Sequence, residues 1–148
     1  MLAALPVSAE TILIALLETV DGSPSVPPLP ARDGILQVFF DRGDIVFDVP
    51  DSAPIPSPEE LLKLARAGGA AYALQIEVAF KQESIAQGGI RYIADAAYIL
   101  TSVESGIRLG EGRIRESGPQ RKSLGLAIGR LIAEEVGAYF KEPYTSVL

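Results

Sequence analysis

The chain has 148 residues, of which 48% are hydrophobic and 22% charged, and a formal net charge of −6. This size and composition fit one folded domain with one core and exclude a disordered chain, while the acidic balance argues against nucleic acid as a partner. With no Cys and no His, the chain has no disulfides, no thiol nucleophile, no thiolate or imidazole metal ligand and no imidazole general base.

Residues 1–10 read as an N-terminal extension. Leu2-Ala3-Ala4-Leu5 looks like the end of a signal peptide's apolar stretch, and Val7-Ser8-Ala9 before Glu10 like a small-x-small cleavage site. No charged segment precedes them, so an ordinary extension and a signal-peptide remnant both fit. Residues 11–140 hold the predicted elements of a single α/β domain, and residues 141–148 read as a C-terminal tail.

Thr11 to Val20 (TILIALLETV) is apolar nearly throughout, and periodicity alone leaves helix and buried strand open. A buried strand that runs into a long loop fits better, because residues 21–30 carry four prolines. Ala31 to Arg42 places Ile35, Val38 and Phe39 at helical spacing, and Gly43 supplies the stop. Ile45 to Val49 is a short strand ended by Pro50. A second proline-rich loop, 50–56, follows. Ser57-Pro58-Glu59-Glu60 is a helix start with a capping box: Ser57 caps, Pro58 takes the first helical position, and Glu60 reaches back. Gly68-Gly69 ends that helix.

Ala71 to Lys81 alternates strictly. Tyr72, Leu74, Ile76, Val78 and Phe80 face one way, and Ala73, Gln75, Glu77, Ala79 and Lys81 the other. Ile90 to Val103 continues the pattern, with Ile90, Tyr92, Ala94, Ala96, Tyr98 and Leu100 on its core side. Glu104-Ser105-Gly106 is a turn, and Ile107 to Arg115 is the third strand of a meander. Gly110 and Gly112 in it point to a bulge or a close approach of another group. Gln120 to Phe140 is a long helix with Leu124, Ile128, Leu131, Ile132, Val136 and Tyr139 on its apolar side. Its Gly125, Gly129 and Gly137 are expected to let it pack closely on the sheet. The elements predict an α/β (α+β) fold in two layers. A mixed sheet in the order β-α-β-α-β-β-β-α carries its helices on one face.

No catalytic motif emerges. Glu59-Glu60 and Glu134-Glu135 are adjacent pairs whose members diverge by about 100° on a helix, so they read as surface charges. Asp41 and Asp44 flank Gly43 without the spacing of a calcium loop and read as a helix-end turn. Neither a glycine-rich phosphate loop nor an S-x-x-K spacing is present. Arg108, Arg113, Arg115, Arg121 and Lys122 lie close in sequence and predict one basic patch, either an anion-binding site or a strand edge kept soluble by charge. The outward face of the meander offers Gln75, Glu77, Arg91, Ile93 and Asp95. With Arg108, Arg113 and Arg115 these are the candidate partner-binding residues. A solvated sheet face is the plainer reading of the same pattern.

Four stretches carry a resemblance: TILIALLETV followed by a loop, ILQVFFDRGDIVFDV, LLKLARAGGAAYALQIEVAF and ILTSVESGIRLGEGRIRES. Together they resemble the α/β domain shared by the N-terminal domain of TolB, the curli secretion lipoprotein CsgG, the penicillin-binding-protein activator LpoB and the flagellar protein FlgT. The resemblance spans roughly residues 11–140 and is one of element order and local pattern. It implies a bacterial cell-envelope protein, periplasmic or outer-membrane-associated, that acts as an adaptor by binding another envelope protein. No catalysis, cofactor or metal is implied. A cytoplasmic location is the alternative. A small-ligand module using loops 21–30 and 50–56 is the alternative function. No apolar run approaches the roughly 20 residues that span a bilayer, although membrane proximity fits the resemblance. The exposed strand edge and mixed sheet face also invite a homo-oligomer.

Overall fold

The computed structural model describes residues 10–49 and 55–140. The N-terminal extension up to Ala9, most of the second proline-rich loop and the C-terminal tail lie outside the described residues. The elements are β1 (Thr11–Val20), β2 (Ser23–Pro24), α1 (Pro30–Asp41), β3 (Ile45–Asp48), α2 (Pro58–Gly68), β4 (Tyr72–Ser84), β5 (Ile90–Ser102), β6 (Arg108–Gly118) and α3 (Arg121–Gly137). This is the predicted α/β order with one addition, the two-residue β2 inside the first proline-rich loop.

The sheet runs β2-β1-β4-β5-β6, with β3 also on β1. β1 is parallel to β3 and β4, and the other pairs are antiparallel. A strand paired on both edges and covered on both faces needs apolar side chains in both directions. That is why TILIALLETV shows no alternation, and β1 is the buried strand rather than a helix.

Ile12 and Ile14 of β1, Leu74, Ile76, Val78 and Phe80 of β4, and Ala94, Ala96, Tyr98 and Leu100 of β5 share one face. Ile35 and Phe39 of α1 and Leu124, Ile128, Ile132 and Val136 of α3 cover it. On the opposite face Leu13, Ala15, Ala73 and Val103 pack against Leu61 and Ala65 of α2. The expectation that all helices share one face is therefore corrected, because α2 lies on the other side. Handedness gives the reason. From β1 the chain crosses outward to β3, then from β3 back past β1 to β4. Right-handed crossovers in opposite directions across one sheet place their helices on opposite faces.

The glycines of α3 also need correction. They seat α3 against α1 rather than against the sheet. A Cβ on Gly129 would stand 2.1 Å from the Ala31 carbonyl oxygen, and one on Gly125 2.6 Å from the Pro30 ring. Gly34 of α1 answers from the other side, where an added Cβ would stand 2.3 Å from the Leu126 carbonyl oxygen. Gly110 and Gly112 of β6 are close-approach positions, as predicted. The Tyr139 ring lies over the first and the Tyr98 ring over the second, beside a register shift at Leu100/Thr101.

The capping box at α2 is formed. The Ser57 hydroxyl accepts from the Glu60 N–H at 3.2 Å, and the Glu60 carboxylate accepts from the Ser57 N–H at 3.2 Å. Gly69 closes the helix in the left-handed region at φ 77°. Ile90, predicted on the core side, is 51% exposed. It begins β5 at the tip of the β4–β5 hairpin.

Candidate functional site

Strand register decides which side chains stand together, because residues directly opposite share a face. Gln75 aligns with Ile99 and then Glu111; Glu77 with Ala97 and then Arg113. Asp95 aligns with Arg115, Ile93 with Lys81, Arg91 with Glu83, and Arg108 with Thr101. All the candidate residues thus lie on one face, the side that carries α2. That helix packs over the Leu13, Ala15, Ala73 and Val103 region only. Beyond it, no helix or strand among the described residues covers the face. Ile93, Ala97 and Ile99 form a half-buried apolar floor between charged side chains.

Much of this charge is internally matched. Arg115 pairs with Asp95 at 3.6 Å, Arg108 with Glu111 at 3.4 Å, and Arg91 with Glu83. Exposed pairs of this kind contribute little stability. Gln75 is tied down, its amide donating to the Pro56 carbonyl at 3.2 Å. Glu77 and Arg113 have no ion pair among the described residues. They stand on either side of Ala97 at a shallow depression of about 210 Å³, which Leu17, Thr19, Ala79 and Asp95 also line.

The predicted basic patch is split. Arg108, Arg113 and Arg115 are on the open face. Arg121 and Lys122 begin α3 on the opposite side, where the Arg121 guanidinium sits 5.7 Å from the centre of the Phe80 ring. Closeness in sequence fails here because the chain turns from sheet to helix at Pro119.

A second candidate is a cavity of about 290 Å³ between the first proline-rich loop and the described end of the second, Ile55 and Pro56. Leu17, Pro24, Val26, Pro27, Ile55 and Pro56 are among its lining residues. It lies beside residues 15–18 of β1, in the gap between the stretch paired with β3 and the stretch paired with β2. Glu18 also lines it, and its role escaped sequence reasoning. Its side chain lies inward at 2% exposure. Its Oε2 accepts from the Arg32 N–H at 3.3 Å. The N-cap residue of α1, Leu29, makes no side-chain cap, so Glu18 does from β1 what a capping Asp would do locally. Burial pushes its carboxyl above the ordinary range, against the pull of the Arg32 and Ala31 N–H groups and the Arg121 and Arg32 cations. Its Oε1 has no hydrogen-bond partner among the described residues. The signal was present as the one acid in an otherwise apolar run.

Two further carboxylates serve the fold. Asp44 is buried, accepts from the Glu10 N–H at 3.1 Å and lies 3.4 Å from Arg42, so it is a helix-end anchor. Glu135 is exposed yet accepts from the Tyr98 hydroxyl at 2.7 Å. Among the described residues no group of acidic side chains could hold a metal, and no helix is long and apolar enough to cross a membrane.

The class these features define is an α/β domain whose distinctive surface is an open, mixed-charge sheet face. Neither a family model nor a curated protein matches the sequence. Solved structures do match. PelC from Paraburkholderia phytofirmans, described as a dodecamer, aligns over 90% of both chains at 14% identity with a TM-score of 0.60. The lipoprotein GNA1162 from Neisseria meningitidis aligns over 87% of this chain and 99% of its own, at 14% identity and 0.53. The LpoB C-terminal domain from Salmonella enterica aligns over 74% and 84%, at 14% and 0.51. At such identities the likeness is one of fold. The fold is the α/β architecture of these proteins, including LpoB, which the sequence resemblance named.

Proposed function

We propose that this protein is a non-enzymatic adaptor or assembly factor of the bacterial cell envelope, periplasmic or outer-membrane-associated, that docks a protein partner on its open sheet face. One observation carries the reading. The face beyond α2 has an apolar floor of Ile93, Ala97 and Ile99, and beside it the exposed Glu77, which has no ion pair among the described residues. An apolar floor with a charged rim suits a moderate protein interface better than it suits a small molecule. The shared fold with the lipoprotein GNA1162 and with LpoB supports the envelope setting.

Cross-linking in fractionated cells tests it. Wild-type protein is expected in the envelope fraction, joined to a discrete partner. Glu77→Arg and Arg91→Glu are expected to lose that partner, whereas Lys122→Glu, on the opposite side, keeps it. A partner retained by all three variants, or a protein confined to the cytoplasm, overturns the reading.

A cavity lined by the first proline-rich loop together with Ile55 and Pro56 supports a second reading, a small-ligand module. A thermal-shift screen of metabolites is expected to find a stabilising ligand if that reading holds. A screen without one counts against it.

A further inference from the structure

We propose that β6 pairs with β6 of a second copy, antiparallel about a twofold axis at Gly112. This joins two sheets into one and goes beyond the adaptor reading.

The backbone sets the first condition. The Ile85 N–H bonds the Gly89 carbonyl, and the Val103 N–H bonds the Ala71 carbonyl. Both bonds lie in the β4–β5 register and join odd-numbered residues. Odd positions of β4 and β5 therefore bond each other, and even positions of β5 bond the even positions of β6 that oppose them. The N–H and C=O groups of Glu111, Arg113 and Arg115 are left pointing outward along the edge. Nothing among the described residues pairs with that edge.

The side chains set the second. Antiparallel pairing centred on Gly112 places Glu111 opposite Arg113 of the second copy, and Arg113 opposite its Glu111. Both are positions with outward-facing backbone groups, so the two strands exchange hydrogen bonds there. The charges are complementary on both sides of the axis, and Arg113 gains an ion-pair partner that it lacks among the described residues. Gly112 falls at the axis itself, at a non-hydrogen-bonded pair where strands approach most closely. On the other face Gly110 meets Ile114 of the second copy, a small residue against a large one. Pairing centred on Arg113 would instead set that cation against itself.

Apolar surface beside the edge supports the same contact. The α3 stripe Leu131, Glu135 and Tyr139 runs along β5 and β6, with Glu135 on Tyr98 and Tyr139 over Gly110. Leu131 is 37% exposed and Tyr139 40% exposed, although helical spacing predicted both on the apolar side. A second copy across β6 brings another α3 next to this stripe and covers it. The open face then runs across both copies. Arg113 belongs to the self-contact, and Glu77 and Arg91 remain for another partner.

Sedimentation of the purified full chain tests this without any envelope protein, so its failure is separate from failure of the adaptor reading. Wild-type protein is expected to dimerise. Glu111→Arg and Arg113→Glu each put like charges opposite one another at two symmetric places, and each is expected to weaken the dimer roughly tenfold or more. Mixing the two variants is expected to restore it, because two arginines of one chain then face two glutamates of the other. That recovery also shows that both variants are folded. A wild-type monomer at its highest soluble concentration overturns the proposal. So does a dimer indifferent to both substitutions, or a mixture that stays monomeric.

Discussion

Gly129→Ala is the sharpest test of how the helical layer is built. The added Cβ would stand 2.1 Å from the Ala31 carbonyl oxygen and 3.0 Å from the Ile35 amide nitrogen. Both are backbone atoms of α1, so no rotamer change relieves the clash, and ordinary contact requires the helices to separate by more than about 1 Å. Helix propensity alone favours the substitution by about 1 kcal/mol. Overpacking of a tight core costs about 1–3 kcal/mol, and a clash with main chain on a helix whose Ile35 and Phe39 are fully buried belongs at or above the upper end. The net expectation is a loss of about 2 kcal/mol, or roughly 4–8 °C in Tm for a chain of this size. Gly137→Ala is the control. Its Cβ meets the Arg42 guanidinium, the end of a flexible side chain, so the expected change is small. Urea denaturation followed by far-UV circular dichroism compares the two. If Gly129→Ala is as stable as wild type, the close-packed account of α1 and α3 is wrong.

Two further substitutions test other elements. The folded-state pKa of Glu18 lies above its ordinary value of 4.5, burial being the main cause, so ionisation costs the folded state more than the unfolded one. Its contribution is complete below 4.5 and declines as pH rises through the raised value. Glu18→Gln removes that titration, and wild-type stability relative to the variant is expected to fall from acidic to neutral pH; parallel stability curves would refute the assignment. Ser57→Ala removes the hydroxyl that accepts from the Glu60 N–H and is expected to cost about 1 kcal/mol. Hydrogen exchange at Leu61 to Ala65 should speed up accordingly, and unchanged exchange would mean that the cap does not hold α2.

Local spacing by itself determined the alternating strands β4 and β5, the cap of α2 and the composition of each face of that part of the sheet. Alternation from Tyr72 to Phe80 and from Ala94 to Leu100 separates a core side from a wet side wherever one face is buried. That is why Gln75, Glu77, Arg91, Ile93, Asp95, Arg113 and Arg115 stand together on one surface. Ser57 and Glu60 are three residues apart, and their hydrogen bonds need nothing beyond that turn. The fold matched the resemblance for the same reason, since element order and periodicity are carried by the chain itself.

Tertiary structure decided what depends on distant neighbours. The side on which α2 packs follows from the order of strands in space, with β3 and β4 on opposite edges of β1. The role of Gly125 and Gly129 depends on Pro30 and Ala31, roughly a hundred residues earlier. Glu18 caps α1 only because the chain returns that helix over β1. Arg121 leaves its sequence neighbours because α3 begins on the far side of the sheet. In each case an amino acid's chemistry is local, but its partner is chosen by the path of the chain.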